Sequence, residues 1–249
     1  RMADALQERI EREVRFTSDV SHELRSPLTT VSTSLGLLEA HARDLSPRGR
    51  RAVELLSAEL RRFQRMVDDL LEISRMDTGS AELSLDDVRV GELVHQAAIA
   101  VGVGDLAVSV NPSVENLHLS VDKRRIERVI ANLVANAAQY AGGATLLAAE
   151  PATDGVLLVV ADRGPGVAPD ERQRIFERFY RGRAAGQRGA ADGTGLGLSL
   201  VAEHVRLHGG HVWVEEGSEG ENRFVVQLPG RASSNDRPER ISNVGEEAS

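Results

Sequence analysis

The sequence predicts an all-α helical hairpin that pairs into a dimeric four-helix bundle, followed by an α/β sandwich domain, and three observations carry that expectation. Apolar residues recur every three or four positions through the first 76 residues, and short β-like runs alternate with helical stretches after residue 82. Between them lies MDTGSAE, residues 76–82, with neither periodicity.

The first helix is read from Leu6, Ile10, Val20, Leu24, Leu28, Val31, Leu35 and Leu38, a stripe approaching a heptad. The segment DLSPRG, residues 44–49, breaks it, and a second stripe follows at Val53, Leu56, Leu60, Phe63, Val67, Leu70 and Ile73. Two antiparallel helices joined by a short turn make a hairpin. Each would run about 30 residues, or about 45 Å, with only a narrow apolar seam. Burying such a seam takes a second hairpin, so a homodimer through residues 1–76 is expected.

Residues 77–82 are read as a linker and 83–230 as the second domain. Its strands are expected at LAVSV (106–110), ATLLAA (144–149), VLLVVA (156–161), HVWVE (211–215) and RFVVQL (223–228). Helices are expected near 90–101, 122–140 and 195–208. The tail at 231–249 is polar and aperiodic, which reads as disorder.

The 249 residues are 41% apolar, enough for one large domain or two small ones. A formal charge of -8 lacks the basic excess of a nucleic-acid binder, so no nucleic-acid partner is expected. Having no cysteine, the chain has no disulfide, thiolate chemistry or cysteine zinc site, which suits a reducing compartment. No run approaches the ~20 apolar residues of a membrane-spanning helix, and no secretory signal pattern opens the chain. It starts with Arg1 rather than Met. The expectation is therefore the cytoplasmic portion of a longer protein, anchored in the membrane by an upstream segment.

Three glycine-bearing stretches point to phosphate: DRGPGV at 162–167, GQRG at 186–189 and GTGLGLSL at 193–200. Glycine lets backbone N–H groups approach an anion closely. The last stretch leads into a helix, whose free N-terminal N–H groups favour phosphate. Taken singly, each cluster is equally a plain loop. GTGLG follows no strand and a Walker lysine is absent, so neither the dinucleotide fingerprint nor the P-loop applies.

In DKRRIERVIANLVANAAQY the residues Ile126, Val129, Ile130, Leu133, Val134 and Ala137 form a buried face. Asn132 and Asn136 share a different one, four residues apart. Their carboxamides offer oxygens to a hard cation and N–H donors to phosphate. Asparagine is a poor helix former, so two of them in mid-helix ask for a reason. His22 in SDVSHELRSPLTT stands two residues past Val20, about 200° around the helix and away from the seam. His204, His208 and His211 superficially resemble a metal site, but LHGG reads as a glycine-capped helix end. His41, His95 and His118 show no partner pattern and read as surface or satisfied histidines.

Taken in order, SHELRSPLTT, NLVANAAQY, DRGPGV, IFERFYR and GTGLGLSLV resemble the H, N, G1, F and G2 boxes of sensor histidine kinases, over about residues 14–229. The resemblance implies a dimerising phosphoacceptor hairpin and a Bergerat-type ATP-binding sandwich, with ATP and Mg2+ as cofactors. It further implies autophosphorylation on a histidine and transfer to an aspartate of a response-regulator receiver domain.

By that resemblance His22 is the phosphoacceptor and Glu23 its activating carboxylate. Asn136 holds Mg2+, and Asn132 helps hold the triphosphate. Asp162 binds the adenine amino group within a loop shaped by Gly164 and Gly166, and Tyr140 matches the aromatic residue near the nucleotide. Phe176 and Phe179 anchor the lid, and Arg181 reaches toward the γ-phosphate. Gly193, Gly195 and Gly197, with Thr194 and Leu196 between them, close the lid over the phosphates.

Two positions depart from the family's pattern. Gln139 stands where lysine is frequent, so one phosphate contact is either weaker or supplied by an arginine. Ser26 stands where many members have threonine and keeps the hydroxyl linked to dephosphorylating the regulator, so a regulator phosphatase activity stays open. Two rivals remain: a Bergerat ATPase of the gyrase or chaperone type, without a phosphohistidine, and a non-catalytic dimeric scaffold.

Overall fold

The computed structural model describes residues 27–77, 81–102, 104, 106–183, 193–218 and 220–230. His22, Glu23 and Ser26, the GQRG stretch, residues 78–80 of the expected linker and the tail at 231–249 lie outside the described residues.

The hairpin comprises α1, residues 27–40, and α2, Pro47–Asp77. Pro47 opens α2, where its missing N–H would have had no helical partner. Ser46 Oγ accepts the Gly49 N–H at 3.2 Å, satisfying another N-terminal donor. The helix spans the expected second stripe, but that stripe is not one seam. Val53 and Val67 are buried, with Leu35 of α1 and with Ser57 and Leu71, and Gln64 Nε2 donates to Ser32 Oγ at 2.6 Å. Leu56, Phe63 and Leu70, spaced by seven, remain 60%, 48% and 44% exposed, as do Val31 and Leu38 of α1 at 52% and 48%. A two-helix hairpin covers only one of the two apolar rows that a heptad supplies.

The second unit begins with β1 (Asp86–Arg89), α3 (Val90–Val101), β2 (Ala107–Val110), the one-turn α4 (Pro112–Glu115) and β3 (His118–Val121). It continues with α5 (Lys123–Ala141), β4 (Ala144–Ala152), β5 (Gly155–Asp162), a 3-10 turn at Arg174–Phe176, α6 (Gly197–Leu207), β6 (His211–Glu216) and β7 (Asn222–Pro229). Five strands form one sheet in the order β2-β4-β5-β7-β6, with β2 parallel to β4 and every other pairing antiparallel. All five expected strands and all three expected helices are present. The two-stranded β1-β3 ladder escaped sequence reading because DDVR carries a single apolar side chain, Val88, too little for an alternation.

One sheet face carries the main core. Leu147, Leu158, Val160, Val226 and Leu228 pack with Leu93 of α3, Ile126, Ile130 and Leu133 of α5, and Val201 and Val205 of α6. Fully burying each such side chain is worth about 1.5–3 kcal/mol. On the other face the small or branched Ala148, Val159 and Val225 sit beneath Leu146, Leu157 and Trp213. Among the described residues no helix is long and apolar enough to cross a membrane.

The two units touch through the end of α2. Ile73 and Met76 join Leu196 and Leu200 in a separate buried cluster. Beyond residues 78–80 the chain is held again: Glu82 O accepts Arg125 Nη2 at 3.0 Å, and Asp122 Oδ2 accepts the Ser84 N–H at 3.2 Å.

Candidate nucleotide site

Helix α5 organises the site because its two faces differ. Asp122 caps it, accepting the Arg125 N–H at 3.2 Å, and Gly142 ends it in a left-handed turn at φ 82°. Its apolar stripe is buried as expected, from Ile126 at 0% to Val134 at 5%. The other stripe, Arg128, Asn132, Asn136, Gln139 and Tyr140, lines a cavity of about 410 Å³, within the usual range for small-molecule sites. Asn132 Nδ2 is buried and has no hydrogen-bond partner among the described residues, an arrangement that calls for an acceptor from a ligand.

Asp162 closes the far end. It ends β5 at 3% exposure, and its Oδ1 accepts the Gly164 N–H at 2.8 Å and Asn222 Nδ2 at 2.6 Å. A Cβ on Gly164 would meet the Ala141 Cβ at 2.9 Å, so only glycine lets this loop lie against the end of α5. With Oδ1 committed to the loop, the second carboxylate oxygen is left to accept from a ligand.

The lid glycines meet the F-box segment at one point. Gly195 has φ +73°, and a Cβ there would lie 2.9 Å from the Phe179 backbone, whose N–H donates to Gly195 O at 2.9 Å. Phe179 itself sits at φ 60°, a conformation uncommon outside glycine and held here by that bond. Nearby, Glu171 is buried and accepts from Tyr180 Oη at 2.8 Å and from the Arg183 N–H at 3.0 Å. Chiefly through that hydrogen bond, the Tyr180 hydroxyl is held above its ordinary range.

Most of the expected residues converge on this cavity: Asn132, Asn136, Gln139, Tyr140, Asp162, Gly164, Gly166, Arg181, Gly193, Thr194, Gly195 and Gly197 all line it. Two do not. Phe179 is 58% exposed and contributes backbone, and Leu196 is fully buried against Ile73 and Met76 of α2. The reason is periodic: entering α6, residue 196 turns toward the hairpin while its glycine neighbours face the cavity. Phe176 is partly buried and packs on the main core.

Other residues were not foreseen. Asn222 reaches Asp162 because β7 pairs with β5 in that register, which no local pattern announces. Asp69 and Glu72 of α2 carry no local signal in the sequence, yet Arg128 donates to Asp69 Oδ1 at 2.8 Å and also to Glu72 Oε2. Glu72 Oε1 lies 3.3 Å from Nε2 of the fully buried His204. Burial raises Asp69 above the ordinary carboxylate range despite Arg128. The same penalty on Glu72 is outweighed by His204 and Arg128, so Glu72 is held below it. His208 belongs to the helix end instead, Nδ1 bonding His204 O at 2.7 Å and Nε2 accepting the Asp122 N–H at 3.0 Å.

Arg128→Ala should therefore loosen the contact between the units. Because the guanidinium is 38% exposed, the expected cost is about 1–2 kcal/mol rather than that of a fully buried pair. It should appear as a lower unfolding midpoint with faster amide exchange at Ile73–Met76; unchanged exchange there would deny these pairs a docking role.

The carboxamide donors also fit a divalent cation that arrives on phosphate. Asn136 offers a neutral oxygen in the cavity beside the unpartnered Asn132 amide, which suits shared ligation with phosphate oxygens.

Comparison with known proteins agrees with this geometry. Residues 12–79 match the family model described as His Kinase A (phospho-acceptor) domain, and residues 121–232 match that described as Histidine kinase-, DNA gyrase B-, and HSP90-like ATPase. Sensor histidine kinase MtrB of Mycobacterium bovis is 41% identical over 223 residues, 86% of this chain and 39% of that protein. The signal transduction histidine-protein kinase/phosphatase MprB of Mycolicibacterium paratuberculosis is 34% identical over 245 residues, 93% of this chain and 46% of that protein. Among solved structures, full-length ShkA in complex with AMPPNP has a TM-score of 0.70 at 30% identity, covering 87% of this chain and 46% of that one. The chain thus spans less than half the length of these curated relatives. With a phosphoacceptor match on the hairpin, an ATPase match on the sandwich and kinases as relatives over most of its length, the chain belongs to the sensor histidine kinase family.

Proposed function

We propose that the chain binds ATP in the α5 cavity, transfers the γ-phosphoryl group to His22, and passes it to an aspartate on a response-regulator receiver domain. The observation that carries this reading is the convergence of Asn132, Asn136, Asp162, Arg181 and the lid glycines on one cavity.

The division of labour follows the domain reading. Residues 1–76 are the dimerising, phosphoaccepting hairpin, 77–82 the linker and 83–230 the nucleotide-binding domain. The exposed rows Leu56, Phe63, Leu70 and Val31, Leu38 support a homodimer, since a second hairpin would bury them. Asp162 accepts from the adenine amino group, Tyr140 flanks the nucleotide, and Asn132 donates to phosphate. Arg181 faces the γ-phosphate, where a guanidinium stabilises the charge that spreads during transfer. A Mg2+ ion held at Asn136 supplies further neutralisation of the phosphate oxygens.

At His22 only an unprotonated ring nitrogen can attack phosphorus, and Glu23 holds the proton on the other nitrogen. A new P–N bond replaces the bond to ADP. Ser26 supplies the hydroxyl for dephosphorylating the regulator, a reading supported by the relative MprB, which is named a kinase/phosphatase. The full-length protein is proposed to sit in the membrane with this portion on the cytoplasmic side.

The test is incubation with Mg-ATP carrying labelled γ-phosphate. The chain should gain an acid-labile, base-stable label that survives ATP removal and then appears on a receiver domain. ATP turnover without such a label would favour an ATPase of the gyrase or chaperone type; absence of both would favour a binding scaffold.

A further inference from the structure

The structure assigns Arg62 and Arg65 of α2 to the phosphate end of the nucleotide cavity, so that the helical hairpin and the sandwich bind one nucleotide jointly within a single chain. The assignment rests on the reading of the cavity as an ATP site.

Position along α5 identifies the end concerned. Asp162 and Gly164 lie against Ala141 at its C-terminus, whereas Arg128, gripping Asp69 and Glu72, lies thirteen residues earlier, about 20 Å along the axis. Helix α2 therefore meets the cavity away from the adenine end, beside Asn132 and Asn136. From α2 the cavity is lined by Arg62, Arg65 and Asp69.

Helix geometry makes the placement rigid. Arg62, Arg65, Asp69, Glu72 and Met76 are spaced three, four, three and four apart, and so form one stripe. Its far end is fixed by Met76 in the cluster with Leu196 and Leu200, and its middle by Arg128. The two arginines are thereby held at the cavity by contacts they do not themselves make.

Charge gives them a task. A triphosphate brings several negative charges, more than Arg181 alone balances, while Gln139 is neutral and Arg128 is already engaged by two carboxylates. Arg62 has a buried Nε without a hydrogen-bond partner among the described residues, and its Nη1 only approaches Glu59 at 3.6 Å. Arg65 donates Nε to the Arg61 carbonyl at 3.3 Å, leaving its terminal nitrogens as donors. Arginine presents five donors in a fork suited to phosphate. The expected consequence is selectivity: α2 contributes to holding the β- and γ-phosphates and contributes nothing to adenosine.

Calorimetric titration of the full chain with ATP and with AMP tests this on wild type, Arg62→Gln/Arg65→Gln and Arg62→Lys/Arg65→Lys. The glutamine pair should weaken ATP about tenfold while leaving AMP within about twofold, and the lysine pair should recover part of the loss. Unchanged ATP affinity in the glutamine pair, or equal weakening of ATP and AMP, would overturn the assignment. A wild-type chain that binds no ATP would instead overturn the underlying site. Normal wild-type binding that is lost in Asn136→Ala but unchanged in the glutamine pair would remove the α2 arginines alone.

Discussion

His22→Gln is expected to abolish phosphoryl labelling, reducing it by at least about a hundredfold, because a carboxamide nitrogen is not nucleophilic and nothing else in the chain replaces the imidazole. The sequence has seven histidines, and the other six are poorly placed. His204 is fully buried, and His208 is buried with both ring nitrogens engaged. His41 bonds Nδ1 to the Leu37 carbonyl of the preceding helix and His95 to the Gly91 carbonyl of its own, His118 pairs with Asp87, and His211 bonds its neighbour's carbonyl. His204 does lie 3.3 Å from Glu72, but it is fully buried and so closed to a nucleotide. Undiminished acid-labile label in His22→Gln would reject the assignment, and peptide mapping would then identify the true acceptor.

The second large effect is expected from Asp162→Asn. At the Oδ1 position two donors converge, from Gly164 at 2.8 Å and Asn222 at 2.6 Å, so an amide NH2 cannot occupy it. The amide must place its oxygen there and turn its NH2 into the cavity. On the proposed function a donor then faces the adenine amino group, itself a donor, from a residue only 3% exposed. Two opposed donors cost both the hydrogen bond and the desolvation of each group, so ATP affinity should fall by roughly a hundredfold. Because the loop bonds survive, the unfolding midpoint should move by only a few degrees. Calorimetry showing wild-type affinity would remove Asp162 from the adenine contact.

Legibility followed the range of the interactions. The apolar stripe of α5, the five core strands and the glycine loops are local patterns, and each was readable from spacing. The heptad of α2 was readable as a repeat but not as a division, since which row a partner helix covers depends on a crossing that sequence does not state. Asn222 escaped because it acts through strand register across sixty residues of chain. Asp69 and Glu72 escaped because acids on a helix face normally meet water, and only docking of α5 gives them Arg128. Leu196 was misread for the opposite reason: its neighbours' role was extended to it, although helix geometry turns adjacent residues apart.

The grip of Arg128 on Asp69 and Glu72 also bears on how such proteins can be recombined. A hybrid that joins this sandwich to a foreign hairpin within residues 77–82 would keep the chain continuous. Unless the incoming helix carried acids three residues apart at the matching turn, Arg128 would face a surface with no counter-charge. The workable exchange boundary is therefore a set of paired positions across the interface, and a splice site chosen in the linker alone leaves half of it behind.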